Sequence, residues 1–550
     1  MHRSLFLLLA ATASVATARP ALVPPASALQ SYVLGRYAQS DDALDRASLY
    51  FNAARALDSQ QSELTRRTFE IAVAAGDARL AFATARQLAA SGREDTDLTL
   101  IRLTEAVQKK DWPVVDTLRA GIANAGYAVV VSPIVEAWVL YARGKTGAAL
   151  ARLDPGGFNG FARSYMAEQR AHMLAAAGRS QEAAAAYAEL RGIGGSVNLL
   201  RLGEADARAE AGDGAMRLLA GDDPVFAIAR TRLSTGKRIG ALAPDPRRGI
   251  GWMAARLATD LSRDKPVPLA LLFARIGTFL AYDMSASWLI CGDVLARSGR
   301  NTTALLAYDE VLPGDALAGA AATRRAEVLE DMGRAHDAGA LLKAAASAPA
   351  TTAEDWIRLG DWHRRGERFS DAIAAYDQAI ALAGPGAAHW SLFFLRGSMH
   401  ERNGNWPAAE VDLREALYRS PDEPAVLNYL GYSMLDRGSN LGEATQLIER
   451  AAKLRPGDGG IIDSLGWSYF RQGRFAEAVT VLEQAAIIET TDPTVTEHLG
   501  DAYWQVGRRI DARFRWRAAL DLDPTPAQRK AILSKLDVGF EAALAMAVKG

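Results

Sequence analysis

Cysteine is almost absent from this sequence, which holds only Cys291 among 550 residues. A single thiol cannot close an intramolecular disulfide, so packing and polar contacts alone must stabilise the fold. An excess of either charge is also missing, because 63 Lys and Arg residues nearly balance 64 Asp and Glu residues. A balanced surface does not attract nucleic acid or anionic membrane as a whole, so we expect neither as a partner.

Motifs of catalysis and metal binding are missing as well. The seven histidines are scattered along the chain. None shows HExxH spacing, and no Cys or His cluster offers a structural metal site. The GxxxxGK[ST] phosphate loop is absent too. We therefore predict no catalytic residue, no metal site and no cofactor, and we interpret the chain as non-enzymatic.

Long apolar runs are also lacking. The run from Leu5 to Ala13 falls well short of the roughly 20 residues that cross a bilayer, so no transmembrane segment is expected. Arg3 before this run and Ala16-Thr17-Ala18 after it are the parts of a secretory signal peptide. We predict a signal peptide at residues 1–18, with an alternative cut after residue 28.

Export combined with a lack of disulfides favours the periplasm of a Gram-negative bacterium over a disulfide-stapled secreted protein. Association with the outer membrane stays open as an alternative. No cysteine follows the apolar run to accept a lipid anchor.

What the sequence does contain is a repeat. Residues Asp463 to Ala485 read DSLGWSYFRQGRFAEAVTVLEQA, two apolar periodic segments split by a glycine turn. The small residues Gly466 and Ala478 recur at the same mutual spacing as Gly500 and Ala512. Small residues at these places let two antiparallel helices approach closely, while the large residues fill the space between them.

The same spacing can be followed backward through the C-terminal half. The small residues of the successive first helices are Gly500, Gly466, Gly431, Gly397, Gly360, Ala326 and Gly292. The repeats that they define are predicted at residues 285–318, 319–352, 353–389, 390–423, 424–458, 459–492 and 493–526. Residues 527–550 are predicted as a capping helix and tail, which covers the last apolar face of a solenoid.

This period and pattern resemble the tetratricopeptide repeat (TPR), whose unit is about 34 residues long. The resemblance implies an all-α fold, a right-handed superhelical solenoid of helix-turn-helix units. The block from LNYLGYSMLDRG to TEHLGDAYWQVGRRIDAR is similar to the C-terminal repeats of bacterial envelope proteins. Some of those proteins are periplasmic adaptors that bring substrates to carboxy-terminal-processing proteases.

The N-terminal half keeps the spacing with fewer of the family's residues. Ala47, Ala81, Val115, Ala149 and Ala183 are evenly spaced with the same period, which predicts degenerate repeats over residues 28–191. The spacing then fails. Residues 192–250 are rich in Gly and Pro toward their end and are predicted as an irregular joint between two arms. Residues 251–284 are predicted as one further degenerate repeat.

A repeat solenoid of this kind suits extended peptides or protein partners. We predict a non-enzymatic scaffold or adaptor of the bacterial envelope whose partners include an envelope protease and its substrates. Two alternatives stay open: a structural subunit of an export or assembly machine, and a polysaccharide-modifying enzyme. The sequence does not indicate the oligomeric state.

The predicted binding surface is a stripe at the fifth, ninth and twelfth places of three successive first helices. By resemblance to the family, this stripe faces the concave side. Its members are Asn428, Tyr432, Leu435, Asp463, Trp467, Phe470, Glu497, Asp501 and Trp504. The alternative is that Trp467 and Trp504 pack between neighbouring repeats. Further along, Phe514 and Trp516 are expected to pack inward or against the terminal helix.

Overall fold

A computed structural model describes residues 27–58, 61–122, 126–190, 195–209, 214–219, 224–263, 267–312, 314–348, 351–384, 386 and 388–547. Every regular element within these ranges is helical. The all-α prediction is confirmed. The predicted signal peptide, residues 1–18, lies outside the described residues.

None of the helices in the described ranges combines the length and apolar character that crossing a bilayer requires.

The chain divides into two compact units, Met1–Leu341 and Leu342–Gly550. The helices of unit 1 are α1 (Ala28–Ser40), α2 (Leu44–Leu57), α3 (Ser62–Ala75), α4 (Ala78–Ala90), α5 (Thr96–Lys109), α6 (Trp112–Gly121), α7 (Ala128–Ala142), α8 (Thr146–Arg152), α9 (Gly160–Ala176), α10 (Ser180–Glu189), α11 (Gly195–Arg208), α12 (Gly214–Leu218), α13 (Pro224–Ser234), α14 (Pro246–Leu261), α15 (Pro268–Leu280), α16 (Ser285–Arg297), α17 (Asn301–Asp309) and α18 (Ala318–Asp331). A short 3-10 turn, Pro155–Gly157, lies between α8 and α9. Helix α19 (Ala335–Ala346) spans the division between the units.

Unit 2 continues with helices in pairs. They are α20 (Ala353–Arg365), α21 (Phe369–Ala383), α22 (Trp390–Arg402), α23 (Trp406–Arg419), α24 (Pro424–Asp436), α25 (Leu441–Leu454), α26 (Gly459–Arg471), α27 (Phe475–Ile488), α28 (Pro493–Gln505), α29 (Arg509–Leu520), α30 (Pro526–Val538) and α31 (Phe540–Ala547). The first helix of each repeat is called the A helix below, and the second the B helix.

The ends of these helices follow from local chemistry. Asp458 and Asp492 accept hydrogen bonds from backbone N–H groups of the first turns of α26 and α28, which satisfies donors that lack an intrahelical partner. Pro493 stands at the start of α28, where its missing N–H costs nothing. The turn from α26 to α27 uses Gly473, whose φ of 76° lies in the left-handed region.

The pairing of A and B helices depends on the small residues that the sequence repeats. A Cβ placed on Gly466 would lie 2.6 Å from Cγ of Leu482, and one on Gly500 would lie 2.6 Å from the Trp516 ring. Real Cβ atoms do not come so close, so the two helices can approach only where glycine stands. Ala478 and Ala512 on the B side are fully buried. The repeat spacing is therefore a packing requirement between the two helices.

Unit 1 has a second layer, formed by helices α14 and α15, on top of its paired helices. Helix α14 packs against α5, α7 and α9, and α15 packs against α3 and α5. Each partner is the first helix of a contacting pair, α3–α4, α5–α6, α7–α8 or α9–α10, and so takes the place that an A helix has in a repeat. A face of unit 1 that the repeat fold would otherwise leave open is thus filled by the chain itself.

Polar contacts fix this layer at several points. The Trp252 indole N–H donates to Glu168, at 2.9 Å, and the Gln108 amide donates to the Phe279 carbonyl, at 2.7 Å. Burial opposes ionisation of Glu168, but the nearby guanidinium groups of Arg201 and Arg256 outweigh it and hold the pKa of Glu168 at about 2. Glu168 therefore ties α14 to the repeats as a buried, ion-paired carboxylate.

The structure differs from the sequence interpretation at residues 192–250. The segment expected as an irregular joint contains α11, α12 and α13, and α14 already begins at Pro246, capped by Asp245. Residues 235–245 are the helix-free stretch that precedes α14. The division into compact units lies at Leu341 and Leu342 instead of in this segment. The physical reason is that α14 and α15 carry large apolar side chains, which are buried against each other and against the helices α3, α5, α7 and α9 of unit 1.

Candidate partner-binding surface

The predicted stripe lies on α24, α26 and α28, three A helices of unit 2 that pack side by side. On α24, Asn428 and Tyr432 are half-buried, while Leu435 is fully buried in the core. The side-chain oxygen of Asn428 is buried without a hydrogen-bond partner within the described residues. Burial raises the pKa of the Tyr432 phenol, with a smaller effect from the Asp463 carboxylate. Tyr432 and Asn428 are thus the members of the stripe on α24 that reach the surface.

On α26, Asp463 is buried and lies 2.9 Å from Nδ1 of His498 on α28. Burial lowers the pKa of His498, but the Asp463 carboxylate outweighs it, so the pKa of His498 is raised overall. The imidazole in turn stacks on Trp467, with ring centroids 4.0 Å apart and planes 11° from parallel. Phe470 stacks on Trp467 as well, at 4.6 Å. Trp467 is half-buried between these two rings.

On α28, Asp501 is buried and points into its own repeat. The Trp516 indole N–H on the B helix donates to it, at 2.8 Å. The same link joins the ninth place to an aromatic donor 15 residues later in two other repeats: Tyr308 donates to Asp293, and Tyr376 donates to Asp361, each at 2.8 Å. In these three repeats, the aspartate at the ninth place therefore accepts a hydrogen bond from the second helix of its own repeat.

Lys535, on α30, reaches two acidic members of the stripe. Its ammonium nitrogen lies 2.6 Å from both Glu497 and Asp501. All three side chains are buried. Burial raises the pKa of Asp501 to about 6, against the opposing effect of Lys535. Lys535 thereby compensates a pair of carboxylates that would otherwise be costly to bury.

Trp504, at the twelfth place of α28, contacts both its own repeat and the C-terminal end of the chain. Its ring lies 5.2 Å from the Trp516 ring. Its indole N–H donates to Glu541 on α31, at 2.8 Å, and the Arg509 guanidinium lies 3.9 Å from its centroid. Phe540, also on α31, packs edge-to-face on Phe470, at 5.8 Å.

The structure thus brings the stripe together as a set of packed side chains, of which only part is exposed. Its buried members are Leu435, Asp463, Phe470, Glu497 and Asp501, and its half-buried members are Asn428, Tyr432, Trp467 and Trp504. Trp467 and Trp504 contact neighbouring elements, which agrees with the packing alternative for these two residues.

The sequence interpretation missed the groups that cover the stripe, which are His498, Lys535 and Phe540. A signal for Lys535 was present, because it follows Asp501 by one full repeat period and so takes the ninth place of the capping helix. In the part of the chain that the structure describes, no group of three or more His, Cys, Asp or Glu side chains is placed to hold a metal ion.

Comparison with known proteins agrees with the repeat assignment. Residues 357–424 and 394–459 match the tetratricopeptide repeat family model. A TPR repeat-containing protein of Pseudomonas aeruginosa is 34% identical over 185 residues, which cover 33% of this chain and 31% of that protein. A cytochrome c-type biogenesis protein, CycH of Rhizobium meliloti, is 31% identical over 105 residues, covering 19% of this chain and 27% of the relative. The chain therefore spans less than a third of either curated relative.

Among solved structures, a tetratricopeptide repeat protein from Parabacteroides merdae is 15% identical. It aligns with 45% of this chain and 97% of its own, with a TM-score of 0.37. By the match to the family model, residues 357–459 carry tetratricopeptide repeats, in a chain whose described residues form an all-α fold.

Proposed function

We propose that the protein is a non-enzymatic scaffold that binds a partner protein on the A-helix face of unit 2. The observation that supports it is a row of half-buried aromatic side chains, Tyr432, Trp467 and Trp504, on three successive A helices. Large aromatic groups that are partly exposed and held in place by packing are the typical anchors of protein interfaces.

Unit 1 supports this choice of surface by contrast. Its A helices α3, α5, α7 and α9 are already packed against α14 and α15. An extended peptide would have to displace these two helices before it could reach that face. The A helices of unit 2 carry no comparable pair of long helices among the described residues. The face of unit 2 is therefore the better candidate for an outside partner.

The location that we propose is the periplasm of a Gram-negative bacterium or the periplasmic side of its outer membrane. The support comes from Arg3, the apolar run and the small-residue cleavage signals. N-terminal sequencing of the natively expressed protein tests this. We expect a mature chain that begins at Arg19 or, by the alternative cut, at Leu29, and an intact Met1 would contradict export.

The partners that we propose are an envelope protease and its substrates, by the resemblance of the C-terminal repeats. A subunit of an assembly machine is the second candidate, because one relative is named as a cytochrome c-type biogenesis protein. A pull-down from envelope extract with identification of the captured proteins separates the two. A processing protease supports the adaptor, and a membrane-bound assembly component supports the subunit.

The surface itself is tested in the same pull-down with two tyrosine variants. Tyr432→Ala removes an aromatic anchor from the A-helix face, whereas Tyr418→Ala removes a tyrosine that is 82% exposed on the B helix α23. We expect Tyr432→Ala to lose capture and Tyr418→Ala to retain it, with both variants folded by circular dichroism. Equal capture by the two variants would contradict the proposed surface.

A further inference from the structure

Helix α31 lies on the surface that the proposed function assigns to a partner. This short helix of eight residues follows the capping helix α30 after a single residue, Gly539. Phe540 at its start contacts Phe470 on α26, and Glu541 contacts Trp504 on α28. The helix therefore bridges two A helices of successive repeats, as a bound peptide would.

We propose that α31 is an internal occupant of the partner site, and that the outside partner is a short helical segment with an aromatic residue followed by an acidic one. This inference rests on the proposed function, since it names the class of ligand that the same site takes. Partner and α31 then compete for Phe470 and Trp504.

The chemistry of the occupied site defines the ligand. The Phe540 ring is buried, and it lies near Phe470 and the Lys535 ammonium group, whose nitrogen is 5.5 Å from the ring centroid. An aromatic ring suits this position because both a π-face and a cation are offered to it. At the next position, a carboxylate accepts the Trp504 indole N–H and lies 3.9 Å from the Arg509 guanidinium. An acidic residue is matched there by a donor and a positive charge.

Gly539 makes this fold-back possible. Its φ of 87° lies in the left-handed region, which side chains other than glycine disfavour. A Cβ at this position would also lie 2.7 Å from the Trp504 ring. A larger residue at position 539 is therefore expected to detach α31 from Trp504, because its backbone would be strained and its side chain would clash with the ring.

The capping helix does not depend on α31. Ile532 of α30 is fully buried, and Lys535 pairs with Glu497 and Asp501. The Arg513 guanidinium on α29 also donates to the Leu536 carbonyl, at 2.6 Å. Release of α31 therefore leaves α30 in place, and the site opens without loss of the last repeat.

The layer in unit 1 shows the contrast between a permanent and a displaceable occupant. There α14 and α15 have 16 and 13 residues and are held by buried polar contacts such as Trp252 with Glu168. In α31 the described polar contact is made by Glu541, which is exposed. Exposed hydrogen bonds and ion pairs contribute little, so α31 is the occupant that a partner can replace.

The test uses the full chain and a fluorescent peptide of residues 538–547, VGFEAALAMA. Tethered directly to α30, α31 acts at an effective concentration on the order of millimolar, which suppresses binding of the free peptide to the wild-type chain. We expect Gly539→Val and Phe540→Ala chains to bind the peptide at least tenfold more tightly than the wild type. The matched control is Leu533→Ala, a change at an exposed residue of α30, which is expected to behave as the wild type.

A second peptide, in which the phenylalanine is replaced by alanine, is expected not to bind either open variant. The inference would be overturned if the first peptide bound neither open variant, or if it bound all four chains equally. Retained amide protection in α28 and α30 shows that the variants are folded. The peptide assay needs no outside partner, so its failure leaves the scaffold function standing, whereas a failed pull-down with successful peptide binding rejects the scaffold and keeps the internal contact.

Discussion

Replacement of Lys535 by methionine tests the buried ion pairs that join α30 to the last repeat. Methionine retains most of the length and apolar character of the lysine stem but removes the charge. The variant leaves Glu497 and Asp501 buried without the ammonium group that lies 2.6 Å from each of them. Loss of one partner from a buried ion pair destabilises a protein by about 3–5 kcal/mol, because the remaining charge is uncompensated.

Asp501 can relieve part of this cost by taking up a proton. Its pKa is raised to about 6 with the lysine present, and removal of the lysine raises it further. At pH 7 neutralisation of a carboxyl with a pKa of about 6 costs about 1.4 kcal/mol or less. We therefore expect Lys535→Met to lower the local free energy of unfolding by about 3 kcal/mol at pH 7, and by up to about 1.4 kcal/mol less at pH 5.

Hydrogen exchange with mass spectrometry is the appropriate assay, because a repeat protein unfolds locally and a single melting temperature does not isolate one repeat. The readout is amide protection in α28 and α30 at both pH values. Lys530→Met is the matched control, since Lys530 is an exposed lysine of the same helix. Unchanged protection in Lys535→Met, or an equal loss in Lys530→Met, would show that the buried ion pairs of Lys535 do not stabilise these helices.

Three further predictions concern the same unit. Because the pKa of Asp501 and of His498 is raised in the folded state, protons favour folding, and amide protection in wild-type α28 should be higher at pH 5 than at pH 7.5. Ala478→Leu should overpack the α26–α27 pair by about 1–3 kcal/mol, seen as lost protection in both helices, and unchanged protection would reject the placement of that alanine. Gly500→Ala should cost about 1–3 kcal/mol in the same assay, because its Cβ would lie 2.6 Å from the Trp516 ring.

The helix pairs could be predicted from the sequence because the close contact between the two helices requires small residues at fixed positions. Gly466 lies against Leu482, and Gly500 against Trp516, at distances that admit no Cβ. A small residue, which is glycine in every predicted C-terminal repeat except at Ala326, followed at a fixed spacing by an alanine therefore marks these pairs. Such a local signal depends only on residues within one repeat, which is why it is readable without an alignment.

The direction of individual side chains on the A helices was harder to predict. Asp501, expected on the concave side by its place in the repeat, turns toward Trp516 of its own B helix. Phe514, expected like Trp516 to pack inward or against the terminal helix, is 68% exposed, whereas Trp516 is fully buried. The difference of two positions places the two rings on different faces of α29, and helical spacing alone does not show which face is covered.

Contacts between segments that lie far apart along the chain are not visible in the repeat pattern of the sequence. Arg275 donates to the carbonyl of Ala74, 201 residues earlier, and Phe540 packs on Phe470 across the intervening repeat. Neither contact recurs with the period of the helix pairs. The fold-back of α14 and α15 in unit 1, and of α31 in unit 2, therefore follows from tertiary burial of apolar faces that the repeat pattern does not encode.

The most direct test of the scaffold is site-specific photo-crosslinking in envelope extract, from a photoreactive phenylalanine analogue placed at position 432 or at position 418. Tyr432 is half-buried on the A helix α24, and Tyr418 is exposed on the B helix α23. The scaffold function predicts a discrete crosslinked protein from position 432, made stronger by Gly539→Val, and none from position 418. Crosslinks from position 418 alone, or none from position 432 in either background, would contradict it.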